Sequence, residues 1–180
     1  VKGKDSSGRE CWLELLCSPV RDKEGEIIGA LEVVMDISEK KRLAERVRIL
    51  AEAVENMHEG VAVADLQGRL IYANKSLCQQ IQRPVNELEG MTLAGIYQPA
   101  EEKHPPLERW LEGPQERLSG EYLCRREDGA SLPVMLSAFR IDDAQGRSYA
   151  LVAVALDLTE RKRLEADLVQ SSKLAALGEL

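Results

Sequence analysis

Metal-binding and redox motifs are missing from this sequence. None of its four cysteines belongs to a CxxC pair, and it contains only two histidines, which excludes the usual zinc and dithiol spacings. We therefore expect no metal site, and we expect reduced cysteines that are mostly buried as small hydrophobic side chains. The sequence also lacks a nucleophile–base pair and a phosphate-binding loop, so catalysis by this chain is not expected.

Long apolar runs and a one-sided positive charge are missing as well. No stretch approaches the roughly 20 apolar residues of a membrane span, and the first residues do not resemble a signal peptide. With 31 acidic and 24 basic residues the net charge is -7, which argues against nucleic acid as a partner. The chain begins with Val1 rather than Met, so we expect a cytoplasmic fragment of a longer parent, whose membrane anchor, if it has one, lies elsewhere.

An internal repeat organises the chain. At one gapless offset, ten of the 36 positions from Gly8 to Leu43 are identical to their partners. The pairs that define the offset are Gly8 with Gly129, Gly25 with Gly146, and Asp36 with Asp157.

Each copy predicts two strands, a polar turn between them and a following helix. Pro133 in the second copy indicates an edge strand or the start of a strand. The predicted strands are 12–20 and 27–35 in the first copy, and 132–141 and 148–156 in the second.

The junction between the last strand and the helix is acidic in both copies. Asp36 precedes Glu39 by three residues and Asp157 precedes Glu160 by three, the spacing of a capping box with Asp in the Ser/Thr role. Apolar residues then recur at the spacing of a coiled-coil seam, regularly in the first helix and less so in the second. These predicted dimer-helix residues are Leu43, Val47, Leu50, Val54, Met57, Leu164 and Leu168.

One complete domain fits between the two helices. A predicted hairpin at 60–74, short helices broken by glycine and proline, and three further strands from residue 116 onward make an α+β domain. We expect a five-stranded antiparallel sheet with short helices over one face, flanked by long coiled-coil helices.

Sequence motifs at both ends of this domain resemble the PAS family of sensory domains. Residues 59–74 read EGVAVADLQGRLIYAN, which is similar to the family's opening of glycine, strand, Asp-x-x-Gly, strand and Asn. Residues 157–159 and 36–38 resemble the Asp-Ile-Thr motif at the PAS exit. The resemblance implies a PAS fold that encloses a pocket.

The C-terminal sequence resembles another part of a signalling protein. Residues 172–180, SKLAALGEL, are similar to the start of the dimerisation helix of bacterial sensor histidine kinases, just before the phosphorylated histidine. That histidine and the ATP-binding domain are absent, so no kinase activity is expected in this chain, although the parent resembles an ATP-dependent protein-histidine kinase. The implied organisation is a partial upstream PAS domain at 1–37, a signalling helix at 38–57, a complete PAS domain at 58–158 and a second signalling helix at 159–180.

The resemblance implies a conformational relay in a two-component system. A stimulus in the pocket would shift the last strand and pass to a coiled coil that controls the downstream kinase domain of the same chain. The expected partners are a second copy of the chain and, for the parent, a response regulator. The relay residues would be Asp157, Thr159 and Glu160 at one exit, and Asp36 and Ser38 at the other, with plain helix capping as the alternative.

The cofactor stays open at this point. The resemblance places His104 where haem-binding PAS kinases carry their proximal histidine, although Pro105 follows directly and disfavours a helix. Trp110 and Tyr97 are candidate pocket residues, with core packing as the alternative. Aromatic residues make up only 4% of the chain, which leaves little material to stack on a flavin.

We expect no bound cofactor, with haem or a small metabolite as the alternatives. A carboxylate metabolite would need an inward-facing Arg83, Arg109 or Arg140, whose directions the sequence does not define. A ligand-free PAS module that holds two kinase chains in register is the competing function.

Overall fold

The first copy of the repeat forms strands and a helix in the computed structural model, which describes residues 1–4, 7–88 and 90–178. By its contacts the chain divides into two units, Val1–Ala53 and a second that begins at Val54. The first unit has a three-stranded antiparallel sheet in the order β1-β2-β3, followed by helix α1. Its elements are β1 (Lys2–Lys4), β2 (Glu10–Arg21), β3 (Ile27–Asp36) and α1 (Ser38–Glu55), the last of which ends in the second unit.

The second unit is the expected α+β domain. A hairpin comes first, short helices follow, and three long strands precede the final helix. Its elements are β4 (Gly60–Ala64), β5 (Leu70–Ala73), α2 (Lys75–Ile81), a 3-10 helix (Val85–Glu87), α3 (Leu93–Ile96), β6 (Tyr97–Pro99), α4 (Leu107–Glu112), β7 (Arg117–Arg125), β8 (Ser131–Asp142), β9 (Ser148–Asp157) and α5 (Thr159–Gly178).

The sheet of the second unit has the order β5-β4-β9-β8-β7-β6, and every neighbouring pair is antiparallel. The predicted PAS fold is confirmed, but the predicted count of five strands is wrong for the described residues. The sixth strand is β6, three residues that extend the sheet beyond β7. Proline and a short length give such a segment no alternating pattern by which sequence reasoning could find it.

The repeat has one strand register in both copies. Leu13 pairs with Asp36 in the first copy, and Val134 pairs with Asp157 at the same offset in the second. The turn glycines at the matched positions Gly25 and Gly146 have φ of 89° and 76°, a region that L side chains rarely adopt. The identical glycines therefore mark turns that need this conformation.

Pro133 stands near the start of β8, one of the two positions predicted for it, in an interior strand whose ladder with β9 begins only at Val134. Two other expectations about local structure need correction. The capping-box geometry also differs, since each exit Asp accepts from the backbone N–H two residues ahead. Cys17 is exposed rather than buried, because it lies on an uncovered part of β2, whereas Cys11 and Cys124 are buried.

Helix α1 is shorter than predicted. It ends at Glu55, so Met57, expected as the last residue of the dimer seam, lies beyond the helix. The physical reason is that the carbonyl of Val54 accepts from the side chain of Asn74 at 2.9 Å and from the backbone of Met57 at 3.3 Å, which closes the last turn. Among the described residues, no helix combines the length and hydropathy that crossing a bilayer requires.

Candidate functional site

The helix-covered face of the large sheet is packed with the unit's own side chains. Leu77 and Ile81 of α2, Leu93 and Ile96 of α3 and the inward residues of the central strands are all buried. Close-packed protein interiors have few voids larger than a water molecule. The inward residues of β8 and β9 are Leu132, Val134, Leu136, Ala138, Leu151, Ala153 and Ala155.

The two predicted pocket aromatics, Trp110 and Tyr97, belong to this core. Trp110 is 2% exposed and Tyr97 is 1% exposed, and in the described part of the chain neither the Trp110 Nε1 nor the Tyr97 hydroxyl has a hydrogen-bond partner. Burial raises the pKa of Tyr97 well above its ordinary value, so the hydroxyl stays protonated. An unpaired buried N–H or O–H is costly, so a ligand or water would gain a bond at either group.

Arg140 is the inward-facing basic residue among the three considered from the sequence. Its guanidinium lies 5.5 Å from the centroid of the Trp110 ring. Its Nη2 donates to the carbonyl oxygens of Leu111 at 2.9 Å and Gly113 at 3.2 Å, at the C-terminal end of α4. Arg140 therefore neutralises the exposed carbonyls of α4 and covers Trp110.

His104 lies at the rim of the core, against strand β7. A Cβ built on Gly120 would fall 2.4 Å from the His104 Nδ1, so the ring occupies the space that a side chain at position 120 would fill. The ring centroid is 6.0 Å from that of Tyr122, whose hydroxyl donates to the Pro105 carbonyl oxygen at 2.7 Å. Glycine at position 120 thus permits the close approach of His104 to the sheet.

A surface recess of about 620 Å³ adjoins His104, and its lining includes Tyr97 and the acidic residues Glu101, Glu102 and Glu108. Among the described residues, no three His, Cys, Asp or Glu side chains are placed so that they could hold a metal ion together. Haem ligation through His104 would require the imidazole to leave Gly120 and the packed core to open. In this arrangement the His104 imidazole is therefore not placed to ligate a haem.

The exit to helix α5 is tied to three strands. The Asp157 Oδ1 accepts from the Thr159 N–H at 2.7 Å, and the N–H of the buried Leu158 donates to the Pro133 carbonyl oxygen at 2.9 Å. One turn into the helix, the Lys162 Nζ lies 2.6 Å from the Glu121 Oε2 of β7. Lys162 holds the pKa of the Glu121 carboxyl below its usual range. The first turn of α5, which also contains the predicted relay residue Glu160, is thus bonded to β7, β8 and β9.

The exit to helix α1 has the same backbone pattern with different side chains. The Asp36 Oδ1 accepts from the Ser38 N–H at 2.8 Å, and the Ile37 N–H donates to the Trp12 carbonyl oxygen at 2.8 Å. The Ser38 hydroxyl accepts from the Trp12 N–H at 2.8 Å, and the Lys41 Nζ lies 5.3 Å from the centroid of the Trp12 ring. Each predicted relay pair is thus brought together at the end of its own sheet.

The predicted dimer-helix residues are mostly exposed. Leu43, Val47 and Leu50 are 61%, 59% and 65% exposed on α1, and Leu164 and Leu168 are exposed on α5. Apolar stripes of this kind are typical of helices that pack against a partner helix.

Sequence reasoning missed the long-range hydrogen bonds of Asn74. The Asn that ends the opening motif caps α2, since the Asn74 Oδ1 accepts from the Leu77 N–H at 3.0 Å. The same fully buried amide also donates to the carbonyl oxygens of Val54 and Glu59. A cap motif reveals the local bond only, because the other partners lie 15 and 20 residues away in sequence.

A family model described as "PAS fold" matches residues 2–42 and 54–163 of the chain. The crystal structure of the PAS domain of an HTR-like protein from Haloarcula marismortui superposes with a TM-score of 0.56 at 22% identity, covering 66% of this chain and 97% of that one. This likeness supports the fold alone.

Two curated relatives extend the comparison. The C4-dicarboxylate transport sensor protein DctS of Rhodobacter capsulatus is 26% identical over 157 residues, which cover 78% of this chain and 24% of the relative. The biofilm dispersion protein BdlA of Pseudomonas aeruginosa is 26% identical over 169 residues, which cover 87% of this chain and 38% of the relative. The chain thus spans well under half the length of either relative.

Proposed function

The chain belongs to the PAS family, and from that premise we propose that it is the sensory and signal-relay module of a two-component sensor histidine kinase. Its core or its dimer interface changes arrangement, and the exit at Asp157 and Thr159 passes the change to helix α5. A coiled coil formed with a second copy of the chain then controls the downstream kinase domain. The parent acts in the cytoplasm on a response regulator. The similarity to a transport sensor protein supports this assignment.

The observation that carries the proposal is the set of contacts at the α5 exit. Three neighbouring strands each contribute one: Asp157 of β9, Pro133 of β8 and Glu121 of β7. A helix held by several strands of one sheet follows their relative movement more closely than a helix joined by a loop. Two alternative packings of that helix are enough for a switch.

The test is Asp157→Ala in the full-length parent kinase, with Asp36→Ala as the matched control at the other exit. We expect Asp157→Ala to weaken the change in autophosphorylation that a stimulus to the core produces. The variant loses the acceptor that fixes the Thr159 N–H, while the sheet stays folded. An unchanged response at unchanged stability would remove the relay role of Asp157.

A ligand-free dimerisation module is the second candidate, because the core is filled by its own side chains. The visible absorption spectrum of the purified chain, with and without added haem, tests for a coloured cofactor. Featureless spectra in the wild type and in His104→Ala would favour the ligand-free module or a colourless metabolite. A haem band that His104→Ala abolishes would instead support His104 as an axial ligand.

We also propose the domain organisation predicted from the repeat, in which residues 1–37 complete an upstream PAS domain and 38–57 link it to the domain at 58–158. In the second copy β9 pairs with β4, whereas the matching edge of β3 has no strand beside it in the described first unit. The separate family match to residues 2–42 supports this organisation.

Thiol labelling tests this organisation. Cys17 is exposed, but its repeat partner Ala138 is 1% exposed, so a longer chain that includes the upstream half should protect Cys17 from alkylation. Cys124 is the internal control, since burial raises the pKa of its thiol to about 12 and it should stay unlabelled in both chains. Equal labelling of Cys17 in the short and long chains would argue against a completed upstream domain.

A further inference from the structure

The last two residues of helix α1, which belong to the second unit, lie beside a buried amide of that unit. The Asn74 Nδ2 donates to the carbonyl oxygens of Val54 at 2.9 Å and Glu59 at 3.0 Å. Its Oδ1 accepts from the N–H groups of Val61 at 2.9 Å and Leu77 at 3.0 Å. Asn74 is fully buried, and its side-chain amide makes all four of these hydrogen bonds. Asn74 thus joins the incoming helix, strand β4 and helix α2.

A second contact lies beside the first and uses a carboxylate of the helix itself. The Glu55 Oε1 accepts from the Tyr72 hydroxyl at 2.7 Å, and its Oε2 accepts from the Lys75 N–H at 3.1 Å. Burial and then the bond to Glu55 raise the pKa of Tyr72 to about 12, so the hydroxyl remains a donor at neutral pH. The Ser76 hydroxyl adds a bond to the Met57 carbonyl oxygen at 2.5 Å.

These contacts involve both oxygens of Glu55 and both polar atoms of Asn74, so the last turn of α1 has little freedom to move alone. Tyr72 belongs to β5 and pairs with Val63 of β4, which in turn pairs with Val152 of β9, the strand that leads to α5. A displacement of the end of α1 therefore has a bonded route to the strand before the exit helix.

We infer that Glu55, Tyr72 and Asn74, named here the entry contact, are positioning residues that deliver a movement of α1 into the sheet. The unit then receives a signal from the preceding segment in addition to any signal from its own core. This inference rests on the proposed relay function and adds an input to it. The exit residues Asp157 and Thr159 would serve both inputs.

The first experiment uses the 180-residue chain and measures amide hydrogen exchange. Tyr72→Phe removes one bond to a carboxylate while keeping the ring in the sheet, and we expect exchange of the 52–57 amides to rise roughly three- to ten-fold. Glu55→Ala removes that bond and also the bond from the Lys75 N–H, so it should give at least as large a rise, and adding Tyr72→Phe to Glu55→Ala should change little. Tyr149→Phe is the control, since Tyr149 is exposed on β9.

Asn74→Ala is the more drastic variant and could prevent folding, so the inference is tested with the milder pair. Unchanged exchange at 52–57 in Tyr72→Phe, or fully additive effects of Tyr72→Phe and Glu55→Ala, would overturn the entry contact. Glu55→Gln retains one acceptor oxygen, and partial recovery of protection compared with Glu55→Ala would support it.

The second experiment uses the parent kinase and separates this inference from the proposed function. Inserting four residues after Arg48 shifts the phase of α1, whereas inserting seven preserves the heptad phase. We expect autophosphorylation to depend on this phase in the wild type and to lose that dependence in Glu55→Ala with Tyr72→Phe. If the phase dependence persists in the double variant, the entry contact is overturned while the relay stands. If Asp157→Ala leaves all responses intact, the relay itself fails.

Discussion

The two copies of the repeat have the same strand pairing and the same exit, yet only the second copy is covered. Leu15 is 43% exposed, whereas its identical partner Leu136 is completely buried. The register of β2 with β3 matches that of β8 with β9 along the whole hairpin. Pairing is therefore a local property of the hairpin and its turn, while burial depends on the segment between β4 and α4, which packs over β8 and β9.

The two copies also show that one matched side chain makes different contacts although the backbone is the same. Lys41 and Lys162 are identical residues at matched positions, but Lys41 lies over the ring of Trp12 and Lys162 pairs with Glu121. The same helix position is thus attached to its sheet by an aromatic ring in one copy and by a carboxylate in the other. The exit is maintained through different contacts.

The largest expected effect comes from truncating the matched leucines. Leu136→Ala should lower the free energy of unfolding of the second unit by about 2–5 kcal/mol, because it opens a cavity in a packed core. Leu15→Ala should cost less than about 1 kcal/mol, as expected for a side chain largely in water. Urea unfolding can follow each unit separately by fluorescence, since Trp12 reports the first and Trp110 the second.

Each unit would be measured in a variant whose other tryptophan is replaced by Phe. Equal losses of unfolding free energy for Leu15→Ala and Leu136→Ala would contradict the difference in burial, because Leu15 would then have to be covered by another copy of the chain. In that case the cost should depend on protein concentration.

Many of the strands and helices could be predicted from the sequence. The strand predicted over 148–156 is observed as Ser148–Asp157, because a continuous apolar run between a turn glycine and an acidic cap has few other solutions. The end of α1 could not be predicted, since Asn74, twenty residues further along, binds the carbonyl of Val54. The direction of Arg140 was also hidden, because its partners are carbonyls of a helix about thirty residues away.

In the candidate site, too, the local contacts could be predicted from the sequence and the long-range contacts could not. The exit pairs Asp36 with Ser38 and Asp157 with Thr159 are local in sequence, and the motif alone brought them together. The long-range partners at the two exits are Trp12, which lies 26 residues from Ser38, and Glu121, which lies 41 residues from Lys162. Tertiary contacts of this kind leave no periodic signal in the chain.

A smaller effect is expected from removing the exit aspartates. Asp157→Ala and Asp36→Ala should each cost about 1 kcal/mol of stability in their own unit, since each loses one side-chain acceptor at the start of a helix. Asp157→Asn and Asp36→Asn retain the Oδ1 acceptor and should restore most of that loss, measured by the same urea transitions. Failure of both asparagine variants would indicate that the negative charge, rather than the hydrogen bond, stabilises the junction.

The smallest effect is expected at the matched lysines, and its dependence on conditions sharpens the comparison. Lys162→Gln removes an ion pair with Glu121, so its destabilisation should disappear in 1 M salt, where the screening length is only about 3 Å. The folded-state pKa of Glu121 is depressed, so the ion pair stabilises the second unit above the carboxyl's unfolded pKa of about 4.3 and the effect is lost as pH falls through the folded value.

Lys41→Gln is the control for that prediction. Lys41 lies over an uncharged indole, so its small contribution should be the same at pH 7 and at an acidic pH below the folded-state pKa of Glu121, measured by urea unfolding at both pH values. If the stability contributions of Lys41 and Lys162 both disappeared at acidic pH, protonation of other carboxylates would explain the result. A loss confined to Lys162 would instead establish that the α5 exit carries a charge-dependent link to β7 that the α1 exit lacks.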